Sequence, residues 1–238
     1  MNKNNISTDI QVWFLRHGKT PFNYENSKYD DFIDMLCNGI KTQILPDDSD
    51  IDFKSLPEVV DFVGYSQYTR AIQTANLLSE NIKVKQMEEM PSLNEVKFSK
   101  DIITESEYES IPQSRPLILS RWRSNQKIYG ESFKESLERV KEIELFFSKR
   151  QERTIILVTH GWFLRLLELY FVQGNHTPTI DDLLKIEPIK LGHCIKATIP
   201  RKYNNEPKIN LDGSNTPRSC LLVKQTSSLA VETNGRRA

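Results

Sequence analysis

Two histidines are the residues best placed to do chemistry: each is followed by glycine, and each ends a bulky apolar run. The first run, Val12-Trp13-Phe14-Leu15, stops at Arg16-His17-Gly18. The second, Ile155-Ile156-Leu157-Val158, passes through Thr159 into His160-Gly161. An imidazole can attack, move a proton or hold a ligand near neutral pH, and a neighbouring glycine lets the backbone turn and a ligand come close. A third short run, residues 61–65, leads to Ser66 and then Arg70, at the start of a helical pattern. Guanidinium groups grip phosphate with paired hydrogen bonds, and a helix N-terminus offers N–H groups with the same preference. Arg16, Arg70, His17, His160 and that helix start therefore suit a phosphoryl group. The predicted pocket contains no Walker-type glycine loop, no aspartate pair for magnesium and no cysteine nucleophile.

These residues need a scaffold that brings distant strand ends together. The run from Ile10 to Leu15 is too continuously apolar for a strand with one wet face, so it reads as covered on both sides, as in a parallel sheet. In such sheets ligands bind beyond the carboxyl ends of the strands, where both histidines fall. If the two histidine strands are neighbours they lie about 4.8 Å apart, so their rings could face one another across a small ligand.

The other elements follow from local signals. Residues 28–37 predict a short amphipathic helix with Phe32 and Leu36 four apart, and the acidic stretch from Thr42 to Pro57 reads as a surface loop. Ser66 is expected to cap a helix carrying Arg70, Ala71, Ala75 and Leu78, and residues 82–87 to form a third strand. Residues 95–130 look like an insertion or cap over the site, helical around residues 117–122. Ser132 and Glu135 have capping-box spacing before a helix with Phe133, Leu137, Val140 and Phe147 on its apolar face. Residues 162–172 read as a buried helix and residues 193–199 as a last strand. The alternation predicts an α/β fold: a three-layer α/β/α sandwich with a mostly parallel central sheet. Residues 1–200 are expected to form one domain, and residues 201–238 a polar, disordered tail.

Bulk properties are consistent with this. The chain has 238 residues, 38% hydrophobic, with 32 basic and 32 acidic side chains, so any positive field must be local. That balance argues against a dedicated nucleic-acid or membrane-surface binder. Cys37, Cys194 and Cys220 have no metal-ligand spacing, and no apolar run approaches the roughly 20 residues of a membrane span. A cytoplasmic protein without cofactor or metal is expected.

The motifs resemble those of the histidine phosphatase superfamily, the phosphoglycerate-mutase-like fold. Its Arg-His-Gly-x-Thr-x-x-Asn motif appears as Arg16-His17-Gly18-Lys19-Thr20-Pro21-Phe22-Asn23, and its Ser-x-x-x-Arg-Ala-x-Gln-Thr-Ala motif as residues 66–75. Leu93-Asn94-Glu95, Gly130-Glu131-Ser132 and Thr159-His160-Gly161 match three more, in family order. The resemblance implies that His17 is a nucleophile that becomes phosphorylated. It further implies that Arg16, Arg70 and His160 bind the phosphoryl oxygens, that Glu95 protonates the leaving group, and that Thr20 and Asn23 line the rim. Two arginines and a second histidine are expected to keep His17 neutral, and Glu95 to act as an acid chiefly in the substrate complex.

Two departures stand out: the usual long helix after the first motif is replaced by residues 42–57, and Glu95 is followed by Val96-Lys97-Phe98-Ser99. The reading is a metal-independent phosphatase acting on a small phosphorylated metabolite or other phosphomonoester. A phosphomutase and a non-catalytic phospho-ligand binder on the same fold are the rivals.

Overall fold

Alternate residues of the first strand, β1 (Ile10–Arg16), belong to two different apolar cores. Ile10, Val12 and Phe14 pack into the larger core and Trp13 and Leu15 into the smaller one, so both faces of the strand are covered. This is the physical content of its unbroken apolar run, because successive side chains point to opposite faces. The protein is represented by a computed structural model that describes residues 9–22, 27–45, 49–110 and 115–201. Asn23 and the expected tail beyond Arg201 lie outside the described residues.

After β1 come α1 (Tyr29–Asn38), β2 (Val59–Val60), β3 (Phe62–Tyr65), α2 (Thr69–Asn81), β4 (Lys83–Val84) and β5 (Met87–Glu89). Then follow α3 (Glu105–Ser110), α4 (Arg115–Arg123), α5 (Phe133–Ser148), β6 (Thr154–Thr159), α6 (Gly161–Leu167), α7 (Ile180–Lys185) and β7 (Cys194–Ile199). Among the described residues the main sheet has the order β5-β3-β6-β1-β7. Its pairings are parallel except that of β7, which runs antiparallel to β1 at the edge. The fold is thus α/β with a mixed, mostly parallel sheet between helices.

The same alternation assigns the layers. Ile155 and Leu157 of β6 join Phe62 of β3 in the larger core, where α4, α5 and α6 supply Trp122, Val140, Phe147, Phe163 and Leu167. Ile156 and Val158 face the smaller core with Val63, where α2 supplies Ala71, Ala75 and Leu78. Burying each of the large side chains contributes roughly 1.5–3 kcal/mol, which is why the sheet sits centrally with its polar strand ends at one rim.

Several expectations need correction. Residues 42–57 are not simply a surface loop: Ile44 and Leu56 are buried, Ile51 and Phe53 pack on the smaller core, and Trp13 Nε1 donates to Ser55 O at 3.1 Å. Acidic composition concealed irregularly spaced apolar anchors. The strand expected over 82–87 is split into β4 and β5, which join different sheets. Ser66 is not a helix cap, since α2 starts at Thr69 behind Tyr68. The capping box of Ser132 and Glu135 is present at the start of α5. The 95–130 segment contributes Val96, Phe98, Ile102, Ile103, Ile118, Leu119 and Trp122 to the larger core. No helix among the described residues is long and apolar enough to cross a membrane.

Candidate active site

The β1–β6 register pairs Arg16 with Thr159, so the chain leaves both strands at the same level and delivers His17 beside His160. Their ring centroids are 5.1 Å apart, and both side chains are buried, at 4% and 0% exposure. On the other side of β6, β3 pairs Tyr65 with Val158, which places Ser66 next to His160. Ser66 Oγ lies 2.7 Å from His160 Nε2.

Partner chemistry fixes the protons on the first ring. His17 Nδ1 is 2.8 Å from Gly18 O, and Arg70 Nε donates to His17 Nε2 at 3.0 Å. A carbonyl only accepts and a guanidinium only donates, so the proton is on Nδ1 and Nε2 presents its lone pair. The Arg70 guanidinium also donates to Gly39 O, at the end of α1, and lies 5.0 Å over the Tyr68 ring. Arg16 Nη1 donates to Ile189 O at 2.7 Å, and its guanidinium lies close against Gly161.

Burial is the largest influence holding His17 well below the ordinary imidazole pKa, with Arg70 and then Arg16 adding repulsion. His160 is held well below it too, by burial first and then by Arg70, His17, Arg16 and Arg139. The neutral nucleophile expected from the sequence therefore has desolvation as its main cause, ahead of the arginine charges.

Glu95 sits at the start of α6. Its Oε1 accepts from Val96 N and Phe163 N at 2.9 and 3.0 Å, and its Oε2 from Trp162 N at 3.1 Å. The carboxylate thus satisfies N–H groups that a helix start leaves unpaired, one residue after His160. This engagement is structural as well as chemical, and it ties the Leu93-Asn94-Glu95 loop to the histidine strand.

Other motif residues hold the loops. Thr74 Oγ1 accepts from Gly18 N and donates to Arg70 O, at 2.9 and 2.7 Å. Gln73 Oε1 accepts from Ile44 N at 2.9 Å. Thr20 is buried, at 5% exposure, but no hydrogen bond among the described residues joins it to Arg16, His17, Arg70 or His160.

Arg139 was not singled out from the sequence. It forms a two-pronged ion pair with Glu131, at 2.8 and 2.9 Å, and donates to Ser92 O and Asn94 O at 3.2 and 2.6 Å. Its guanidinium lies 4.2 Å over the Phe163 ring. One side chain therefore grips the loop bearing Asn94 and Glu95 and the first turn of α6. An arginine on the polar stripe of an amphipathic helix carries no sequence signal that separates it from a solvated one. Asn94 likewise sat unremarked inside its motif, although its amide binds both Ser66 and Gln67. Arg121 pins α4 to Glu107 of α3 at 2.6 and 2.8 Å.

The structure thus brings Arg70, His17 and His160 together, with Arg16 and Glu95 closing the same rim. No group of three or more His, Cys, Asp or Glu side chains among the described residues is arranged to hold a metal ion.

The family model for the histidine phosphatase superfamily, branch 1, matches residues 53–183, more than half of the chain. That span includes Arg70, Glu95 and His160; Arg16 and His17 join them through the β1–β6 pairing. A Schizosaccharomyces pombe protein named "Probable phosphatase" is 24% identical over 172 residues, covering 67% of this chain and 78% of its own. The structure of mycobacterial glucosyl-3-phosphoglycerate phosphatase matches with a TM-score of 0.51 at 16% identity, over 79% of this chain and 89% of that one. A phosphoglycerate mutase from Bacillus anthracis strain Sterne matches with a TM-score of 0.52 at 18% identity, over 82% and 89%. These two likenesses show a shared fold.

Proposed function

The chain belongs to the histidine phosphatase superfamily, branch 1, and on that footing we propose that it is a phosphatase that hydrolyses a small phosphomonoester through a phosphohistidine on His17. The observation that carries this reading is the His17 ring itself: Nδ1 anchored to the Gly18 carbonyl, Nε2 bearing its lone pair, and a guanidinium at that nitrogen. A structural histidine at a strand end needs no such arrangement of donors.

In the proposed first step, a phosphoryl oxygen takes over the Arg70 Nε–H that now rests on His17 Nε2. The released lone pair forms the N–P bond as the ester P–O bond breaks. Arg16, Arg70 and His160 hold the equatorial oxygens, where charge must be balanced through the transfer, so the scheme uses no metal ion. Glu95 gives a proton to the departing oxygen; Oε2, with one amide bond, is the oxygen left to carry it. In the second step water attacks phosphorus, Glu95 takes its proton and the P–N bond breaks, releasing phosphate. By the motif, Thr20 and Asn23 would line the rim of the site.

The test is turnover of an aryl phosphate by the wild-type protein and by His17→Ala, with a rapid denaturing quench to trap acid-labile, alkali-stable phosphate on the chain. Turnover lost in the variant, with phosphate trapped on His17 in the wild type, is the expected result. Retained activity in His17→Ala overturns the assignment. Feeding a phosphorylated sugar acid separates the rivals: isomer without free phosphate indicates a mutase, and binding without turnover a phospho-ligand binder.

A further inference from the structure

The second histidine has its protons fixed by a longer chain of side chains than the first. Gln67 Nε2 donates to Glu89 Oε1 at 2.9 Å, which leaves Gln67 Oε1 to accept from Asn94 Nδ2 at 3.0 Å. Asn94 Oδ1 therefore faces Ser66 and accepts twice, from Gln67 N at 2.9 Å and from Ser66 Oγ at 3.0 Å. Ser66 has one proton and has spent it on Asn94, so toward His160 its oxygen can only accept. The proton of neutral His160 is then on Nε2, and Nδ1 keeps a lone pair. That Nδ1 is buried and has no hydrogen-bond partner among the described residues. A buried acceptor left bare is uncommon and calls for an explanation. Yet a phosphoryl oxygen is itself an acceptor, so it cannot bond a bare Nδ1.

We propose that the Asn94–Ser66 relay locks His160 in the tautomer that cannot bind an anion, so that His160 must gain a proton when a phosphoryl dianion enters. Asn94 and Ser66 are thereby positioning residues, and anion binding is linked to uptake of a proton. The inference rests on the phosphoryl-site reading above. The groups facing His160 are Arg16 and His17 from the end of β1, Arg70 of α2, Arg139 of α5 and the Tyr68 ring 4.9 Å away. The cations and burial keep the ring neutral when the site holds no anion, and an added dianion reverses that balance. The Arg139–Glu131 clamp holds the Asn94 carbonyl at 2.6 Å and so keeps the relay in place.

The experiment uses sulfate, a dianion that does not titrate near neutrality. Its binding is followed by calorimetry at pH 6.5, the ordinary imidazole pKa, in buffers of different ionisation enthalpy, which yields the protons taken up per site. The wild type is expected to take up about one proton more than Ser66→Ala, where nothing compels the Nε2–H tautomer and a neutral Nδ1–H can serve the anion. Asn94→Leu frees the Ser66 proton to turn toward His160 and is expected to lose the same proton. Ser66→Thr, which keeps the hydroxyl, is expected to behave as the wild type. Equal uptake in the wild type and Ser66→Ala, or uptake near zero in the wild type, overturns the relay. Absence of any sulfate binding by the wild type overturns the phosphoryl-site reading and the relay with it.

Discussion

Lowering the pH should destabilise this protein through His17 and His160 before its carboxylates matter. His17 and His160 are buried, and both hold folded-state pKa values well below the ordinary 6.5. In the unfolded chain each imidazole regains about 6.5, so between the folded and unfolded values the unfolded state binds more protons. Stability therefore rises with pH in that window and is lost as pH falls below about 6.5. Each histidine that stays neutral in the fold costs on the order of 1 kcal/mol at pH 5.5 relative to pH 8, and the pair about twice that. Below that the loss steepens until the folded rings take protons. The most shifted carboxylates, Glu107 and Glu135, lie at about 2, so their contribution is lost only as pH falls from about 4.5 through that value. Urea unfolding in phosphate- and sulfate-free buffers from pH 8 to 5 reads the slope directly. His160→Gln should roughly halve the acid-side loss. A stability curve that is flat over this range, or equally steep in wild type and variant, refutes the claim that these rings are neutral in the fold.

Two further outcomes follow from the geometry around the site. A Cβ at Gly161 would lie 3.2 Å from Arg16 Nη2 and 3.3 Å from its Cζ, so Gly161→Ala should push the guanidinium aside. The expected loss in kcat/KM for an aryl phosphate is about 10- to 100-fold with little change in Tm, and an unaltered kcat/KM would show that Arg16 does not grip the substrate. Arg139→Leu leaves Glu131 without its ion pair at a site where both side chains are less than one-fifth exposed. It should cost about 3–5 kcal/mol in urea unfolding, and a cost under about 1 kcal/mol would sink the clamp.

The arrangement of the smaller core has a consequence for how the site is held. The described parts of residues 42–57 brace α2 and β1: Phe53 and Leu56 pack in the smaller core, and Ile44 N donates to Gln73 of α2. They also reach the loop that follows β1: Leu45 N donates to Lys19 O at 2.7 Å and Lys19 N to Ser49 O at 2.8 Å. A rebuilt flank still fastens the turn that carries His17, and Gly18 approaches Ser49 so closely that a Cβ there would lie 3.0 Å from its carbonyl oxygen.

Much of this protein is a local property of its sequence. The unbroken apolar runs of β1 and β6 specify strands buried on both faces, and the Ser132–Glu135 spacing specifies where α5 begins. The abrupt change from apolar to polar at Arg16-His17 and Thr159-His160 marks the rim where a ligand would bind. Each of these signals is contained within a dozen residues, because strand alternation and helix capping depend on nearest neighbours along the chain. Tertiary structure alone decided the rest. It made Ser66 the partner of a histidine 94 residues away instead of a helix cap, and turned Glu95 onto the first amides of a helix 67 residues downstream. It brought Arg139 onto the loop of Asn94 and chose the tautomers of both imidazoles. Those assignments depend on which donor meets which acceptor once the strands are in register, and no spacing within a single segment encodes that meeting.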